Sequence, residues 1–474
     1  MIMKRFFVGS LLMLFIAGVL VGSTPIGTQA HRIGSVSFKA KTLNNGMKVF
    51  VARTSEVPLF SFYLVVPVGS AMDEPGKEGC ANLTGELLLK GAAGMSADEI
   101  SAKIEGLGGE LEVSTDRDYT IISGGFLAKD MDDGMKCLAD VLLRPDFPAE
   151  ELSKAKSIIS AEINSLRDDP YELANREIVK ALLAGHPYAH PTDGYAKSVV
   201  GISRDDIIRF YRTYYRPRGV ILAVVGSFDT GKAFKAIEKN FAAWPSGHGK
   251  TPAGNASIAD LDPMKHVKRK VIVIDKPGIT QSQIRIANFA PARNTSEYFP
   301  LLVANNILGG GFTSRLMDEI RVNRGLSYGA RSRLYQFSHG GLFEVVTYTK
   351  NKTLRETIDV ALGELDRIRG KEVGEGELAK AKNYLAGLFP LELETQGDLA
   401  KWIATVEFYN LPLSDVNDYK GKVFNVGSDD VQRVAKRYFK ASDNLILLVT
   451  DYAKTRDQLE GLGPVEVISI DDID

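Results

Sequence analysis

The chain has almost no net charge, almost no cysteine and almost no long hydrophobic runs. Its 58 Lys and Arg residues against 59 Asp and Glu leave a formal net charge of −1. No basic excess is therefore available to neutralise a phosphate backbone, and a nucleic-acid partner is not expected. Cys80 and Cys137 are the two cysteines. Both fall in stretches that read as helical and are expected to be buried thiols, a disulfide being possible only if the fold brings them close. One long apolar run exists, over residues 6–21, and it is short for a spanning helix. Lys4 and Arg5 precede it and Thr28-Gln29-Ala30 follow it, which reads as an export signal over 1–30 cleaved after Ala30, with an uncleaved anchor as the alternative. No cysteine follows the run, so lipidation is not indicated. The mature chain is expected outside the cytoplasm, in a periplasm, with no membrane contact beyond such an anchor.

What is present is enough for two or three ordinary cores: 474 residues, 44% hydrophobic and 25% charged. Strand-like and helix-like blocks alternate. Residues 43–51 read as two short strands joined at the Asn45-Gly46 turn, 59–68 as a buried strand, 97–107 as a helix ending at Gly108-Gly109, and 110–113 and 120–126 as strands. Residues 129–143 and 149–167 have helical periodicity, and 220–226 is a continuous apolar run of strand length. The second half repeats this plan. Glu151-Leu152-Ser153-Lys154-Ala155-Lys156 recurs as Glu377-Leu378-Ala379-Lys380-Ala381-Lys382, and the strand and helix near 60–66 have counterparts at 282–289 and 298–308. Between the copies, 245–255 is rich in Pro, Gly and Ser, as a flexible connector is. The expectation is an α+β chain of two homologous domains, 36–244 and 267–470, each an antiparallel-rich sheet packed with helices, joined by a linker over 245–266.

One stretch carries chemistry by what it lacks. Gly79-Cys80-Ala81-Asn82-Leu83-Thr84-Gly85-Glu86, followed by Leu87-Leu88-Leu89-Lys90-Gly91, resembles the zinc helix of the pitrilysin/insulinase-type metallopeptidases, in particular the two-domain processing peptidase-like branch. The family order is Gly-x-Ala-His-x-x-Glu-His with Leu-x-Lys-Gly after it. Asn82, Gly85 and Glu86 stand where the resemblance implies the first His ligand, the general-base Glu and the second His ligand, and Glu162 matches the more distant third ligand. Positions 82 and 86 share a helix face, which is why two histidines there can grip one zinc ion. An Asn amide and a lone carboxylate are hard ligands that suit calcium or magnesium better. Gly85 has no side chain, and loss of a positioned base alone forfeits about two to four orders of magnitude in rate. No metal or other cofactor is therefore expected in this chain, and Asn82, Glu86 and Glu162 read first as ordinary helix-surface groups.

The second half keeps another part of the resemblance. Leu308-Gly309-Gly310-Gly311-Phe312-Thr313-Ser314-Arg315-Leu316 and the following Ile320 to Tyr328 stretch resemble the family's C-terminal signature, in which an Arg and a Tyr seven positions later reach the active site. Arg321 and Tyr328 match those positions. A fixed guanidinium and a phenol can hold a substrate carbonyl and stabilise a developing oxyanion; the plainer reading is an Arg at a helix end and a Tyr at a strand start. The triple glycine lacks the Lys-Ser/Thr of a P-loop and reads as a helix-ending turn. His186 and His190 lie four apart, but Pro187 and Pro191 break any helix between them, and the pair reads as structural.

Some members of the family divide the work between a zinc-bearing chain and a partner that keeps the Arg and Tyr. The resemblance thus implies a catalytically silent subunit whose zinc-bearing homologue supplies the zinc, with Arg321 and Tyr328 acting in trans on a peptide or unfolded protein. The alternatives are an inert structural or chaperone-like subunit of the core-protein kind, and an enzyme holding another metal at Asn82, Glu86 and Glu162.

Overall fold

The computed structural model describes residues 30–54, 57–246, 258–265 and 267–473. All but the last residue of the export signal expected over 1–30, and most of the expected linker, 247–257 and 266, lie outside the described residues. In the first half the main sheet uses β1 (Ala30–Ile33), β2 (Val36–Thr42), β3 (Lys48–Arg53), β4 (Leu59–Val66), β5 (Glu110–Thr115), β6 (Thr120–Leu127) and β7 (Ile221–Gly226), in the order β1-β2-β3-β7-β4-β6-β5. In the second half it uses β8 (Lys270–Asp275), β9 (Gln281–Ala290), β10 (Ala330–Phe337), β11 (Gly340–Lys350), β12 (Leu445–Thr450) and β13 (Val465–Ser469), in the order β10-β11-β9-β12-β8-β13.

The two sheets share one topology. In the first, β3 runs parallel to β7, and β7-β4, β4-β6 and β6-β5 are antiparallel. In the second, β8 runs parallel to β12, and β12-β9, β9-β11 and β11-β10 are antiparallel. The internal repeat seen in the sequence is therefore a repeated α+β unit, antiparallel but for one central pair. Only the far edges differ: β1 and β2 extend the first sheet, and β13 pairs parallel with β8 in the second.

Neither sheet keeps its helices to itself. The helix Pro170–Leu182 from the first half packs on β9 and β12 of the second, and Gln396–Phe408 from the second half packs on β4 and β7 of the first. Each begins at a side-chain cap that satisfies its otherwise unpaired amides. The Asp169 carboxylate accepts from Tyr171 and Glu172 N–H ahead of a proline in the first turn, and Thr395 forms a capping box with Asp398. This exchange explains the unbroken apolar runs at β7 and β12, buried at every position. Leu222 and Val224 enter the core of the first half, while Ile221, Ala223 and Val225 join a core built mostly from the second. A strand covered on both faces has no reason to alternate, and each fully buried Ile, Leu or Val is worth about 1.5–3 kcal/mol over exposure.

The turn between β2 and β3 sits at Leu43 to Met47, with Gly46 at φ +92°, so Leu43 belongs to the turn rather than to a strand. Cys80 and Cys137 are both buried and free. No helix among the described residues is long and apolar enough to cross a membrane.

Candidate functional site

The sequence stretch expected to be a catalytic helix forms one, Cys80–Leu87. It starts at Gly79, whose φ of +99° is the left-handed conformation that glycine adopts without strain. The Asp73 carboxylate accepts from the Gly79 and Ala81 N–H groups at 2.8 Å each. Asn82 and Glu86 share the same half-buried face, and the Asn82 amide donates to Glu86 Oε1 at 3.1 Å. Burial raises the Glu86 carboxyl above the ordinary glutamate range; the Asn82 hydrogen bond pulls it back and the charge of Glu162 pushes it up again. Glu162, on the helix Ala149–Ser165, is exposed to solvent. The fold thus brings Asn82, Gly85, Glu86 and Glu162 to one neighbourhood.

Zinc does not fit these residues. The Asn82 amide spends a donor on Glu86, so the two groups satisfy each other rather than converge as lone pairs on a third point. Gly85 is packed: a Cβ there would stand 2.6 Å from Thr115 Oγ1 and 3.4 Å from Val113 Cγ1, so the fold has closed over the place of the general base. Among the described residues no three His, Cys, Asp or Glu side chains are grouped so as to hold a metal ion. His186 and His190 face different partners. His186 Nε2 bonds the Ala259 carbonyl while its Nδ1 accepts from Tyr188 N–H, and His190 Nδ1 bonds the Pro191 carbonyl.

Asn82 instead lines a cavity of about 460 Å³ between the two halves. Thr115 and Arg117 from the first sheet, Tyr335, Phe337 and Leu342 from the second, and Asn175, Arg176 and Val179 from the exchanged helix enclose it. Arg117 donates through Nε to the Tyr188 carbonyl at 2.9 Å and lies 5.3 Å from the Phe337 ring. Burial lowers its pKa, opposed by Asp116 and Asp118. Arg176 grips both oxygens of Asp193 at 2.8 Å. Behind this wall, Tyr171 is held by three arginines of the second sheet. Arg285 donates to its carbonyl at 2.9 Å with its guanidinium 4.8 Å from the ring, and Arg331 and Arg333 both donate to its hydroxyl. Arg285 is fully buried, and desolvation lowers its pKa to about 10, with Glu344 opposing. None of these arginines stood out in the sequence; the Asp116-Arg117-Asp118 triplet was the one local signal, and it reads equally as a polar turn.

Arg321 and Tyr328 lie elsewhere and do not line this cavity. Tyr328 is 82% exposed, with Phe312 at 72% and Val322 at 70% close in sequence. The Arg321 guanidinium sits 5.0 Å from the Phe312 ring. Ala330, two residues after Tyr328, is five positions from the cavity residue Tyr335 on β10, about 17 Å along an extended strand. The triple glycine closes a wide helical turn, Asn306–Gly310. Gly309 must be glycine because a Cβ would stand 2.2 Å from Ser332 N on β10.

Two family models match the chain: Insulinase (Peptidase family M16) over residues 48–194, and Peptidase M16 inactive domain over residues 201–385. An uncharacterised zinc protease of Streptomyces coelicolor is 27% identical over 418 residues, spanning 86% of this chain and 88% of that protein. The crystal structure of a peptidase M16 inactive domain from Pseudomonas fluorescens superposes with a TM-score of 0.79 at 26% identity, covering 87% of this chain and 98% of its own. The structure of a protease from Helicobacter pylori gives the same TM-score at 21% identity, covering 87% and 99%. Family matches in both halves, a fold shared over nearly the whole length and the repeated two-domain topology lead to one conclusion: this chain belongs to the M16 family of insulinase- and pitrilysin-type peptidases.

Proposed function

We propose that this chain is the zinc-free subunit of an exported two-chain metalloendopeptidase, silent alone, which lends Arg321 and Tyr328 to the active site of a zinc-bearing homologue acting on peptides or unfolded protein in a periplasm. The observation that carries this reading is the separation of two half-sites within one chain. The helix at Asn82, Gly85 and Glu86 is closed against a metal and a base, while the Tyr328 phenol stands in water and the Arg321 guanidinium lies beside the exposed Phe312 ring. A large exposed aromatic beside a cation is what a partner-facing surface offers. Its hydroxyl and the Arg321 guanidinium are the donors that an oxyanion in a neighbouring cleft needs. The relatives named zinc proteases carry that activity in their names; for this chain the zinc is assigned to the partner.

The test is reconstitution. The purified chain is mixed with a homologue from the same organism that carries an intact His-x-x-Glu-His, and cleavage of an unstructured peptide is followed with and without chelator. Neither chain alone is expected to cleave at an appreciable rate, and the mixture is. Tyr328→Phe in this chain should lower kcat by roughly 100-fold or more, and Arg321→Ala should also lower it, without dissociating the complex. Full activity of the homologue alone, or undiminished activity with both variants, sinks the reading.

A further inference from the structure

Where the chain enters its second half, two histidines hold it to both halves at once. On the first half, His186 Nδ1 accepts from Tyr188 N–H at 3.1 Å and Nε2 lies 2.8 Å from the Ala259 carbonyl. On the second, the turn between β10 and β11 places His339 Nδ1 2.8 Å from Asp260 Oδ1, and the His339 carbonyl accepts from Leu261 N–H at 2.6 Å. Ile258 beside them is buried in the same core as Tyr188 and Phe337. Between the histidines, the Tyr188 hydroxyl donates to Asp118, which also accepts from Ser338 N–H at 2.7 Å. Only one protonation state of His186 suits both of its neighbours. A neutral ring with its proton on Nε2 donates to the Ala259 carbonyl and accepts at Nδ1, whereas an imidazolium sets an N–H against the Tyr188 N–H. At His339 the preference is reversed, because an imidazolium there completes an ion pair with Asp260.

We propose that residues 258–261 form an acid-released latch between the halves: protonation of His186 frees them from the first half, while His339 keeps them on the second. The groups facing His186 come from three elements. Asp260 lies on the latched segment, His339 on the β10–β11 turn and Asp118 on the β5–β6 turn; Asp116 and Arg117 of that last turn bear on Tyr188, Arg117 by donating to its carbonyl. Burial disfavours the His186 cation and so does His339, while the Ala259 carbonyl and the two aspartates favour it; burial prevails and the pKa falls below the ordinary imidazole value. The released ring, at about 6.5, then binds a proton more readily than the latched one. The latch is therefore at full strength above that value and weakens as pH falls through the folded one. Asp118 works in the opposite sense. Burial raises its carboxyl, opposed by the Tyr188 and Ser338 hydrogen bonds, so its contribution grows towards acid and does not account for a loosening there. The latch requires neither a zinc-bearing partner nor the trans role of Arg321 and Tyr328.

Amide hydrogen exchange of the purified chain at about pH 7.5 and about pH 5, corrected for the intrinsic effect of pH, reads the two sides of the latch separately. Tyr188 N–H, whose acceptor is His186, is expected to lose protection roughly 3- to 10-fold at the lower pH. Leu261 N–H, whose acceptor is the His339 carbonyl, is expected to keep its protection, as are the amides of β7. His186→Gln retains a side-chain N–H for the Ala259 carbonyl and has nothing to titrate, so acid should no longer loosen Tyr188. If His186→Gln fails to fold by circular dichroism, Asp260→Asn, at an exposed position, still decides the matter: it deletes the ion pair that holds the segment on the second half, and Leu261 should then loosen together with Tyr188 at the lower pH. Equal protection of Tyr188 at both pH values overturns the proposal, as does an acid-induced loss that persists in His186→Gln. Leu261 staying protected in Asp260→Asn, or β7 losing protection to the same extent as Tyr188, overturns it too.

Discussion

Gly85 and Glu86 occupy neighbouring positions of one helix but answer to different physics. At Gly85 the constraint is room. A methyl group there meets Thr115 Oγ1 at 2.6 Å, and overpacking of that kind costs about 1–3 kcal/mol, more than the roughly 1 kcal/mol that alanine gains over glycine inside a helix. Gly85→Ala is therefore expected to lower stability in urea unfolding, and Thr115→Ala to rescue it when combined; additive effects of the two changes would remove Thr115 as the obstacle. The same obstacle means that writing His, Glu and His back at 82, 85 and 86 will not rebuild a zinc site unless Thr115 is reduced as well. At Glu86 the constraint is charge. Its folded pKa is raised by burial, so the stability it contributes is full below the unfolded value of about 4.3 and is lost as pH rises through the folded value. Glu86→Gln should accordingly raise Tm at neutral pH, with the gain shrinking towards pH 4. A gain that is constant across that range would show that the carboxyl is not desolvated.

The elements that matter most to the molecule are the two exchanged helices, and each is pinned by a few named contacts. Pro170–Leu182 is seated on the second sheet through Tyr171, whose hydroxyl accepts from Arg331 and Arg333, and through Asn175, whose Oδ1 accepts from Arg285 Nε at 2.8 Å. Two of those guanidiniums, Arg285 and Arg333, face the buried Glu344, whose carboxyl is raised by desolvation and lowered by both. Tyr171→Phe keeps the ring and deletes the acceptor that Arg331 and Arg333 share; Arg333 retains Glu344 and the Tyr335 hydroxyl and Arg331 retains solvent, so the change is expected to cost about 0.5–1.5 kcal/mol. Amide hydrogen exchange should quicken across 170–182 while β3 and β7 keep their protection; uniform loss in both sheets would mean that the contact is not a local pin. Little of this was legible beforehand. The helix from 170 has the same amphipathic period whichever sheet it covers, and the arginines that hold it lie in the other half of the sequence. The strands were more open to reading, because an unbroken apolar run such as 220–226 has strand length and no polar alternation.

For the molecule as a whole, the repeat and the degenerate helix were readable because both are local: a six-residue block recurs, and Asn82, Gly85 and Glu86 fall in register with flanks that keep their family pattern. The cavity was not, because Arg117 and Phe337 meet only when the halves close on each other. That closure has a consequence for folding. With Gln396–Phe408 buried on β4 and β7, and Pro170–Leu182 on β9 and β12, each half alone would expose the apolar face that its neighbour's helix covers: Ile221, Ala223 and Val225 on one side, Leu445, Leu447 and Val449 on the other. Two domains joined by a linker ordinarily fold separately. Here the exchange predicts one cooperative unit, so that thermal unfolding followed by circular dichroism and by tryptophan fluorescence should give coincident transitions. A chain divided after residue 246 should yield two soluble pieces only when they are co-expressed, and those pieces should copurify without a covalent link. Either piece giving a sharp unfolding transition by itself would show that the exchanged helices decorate two finished cores rather than complete them.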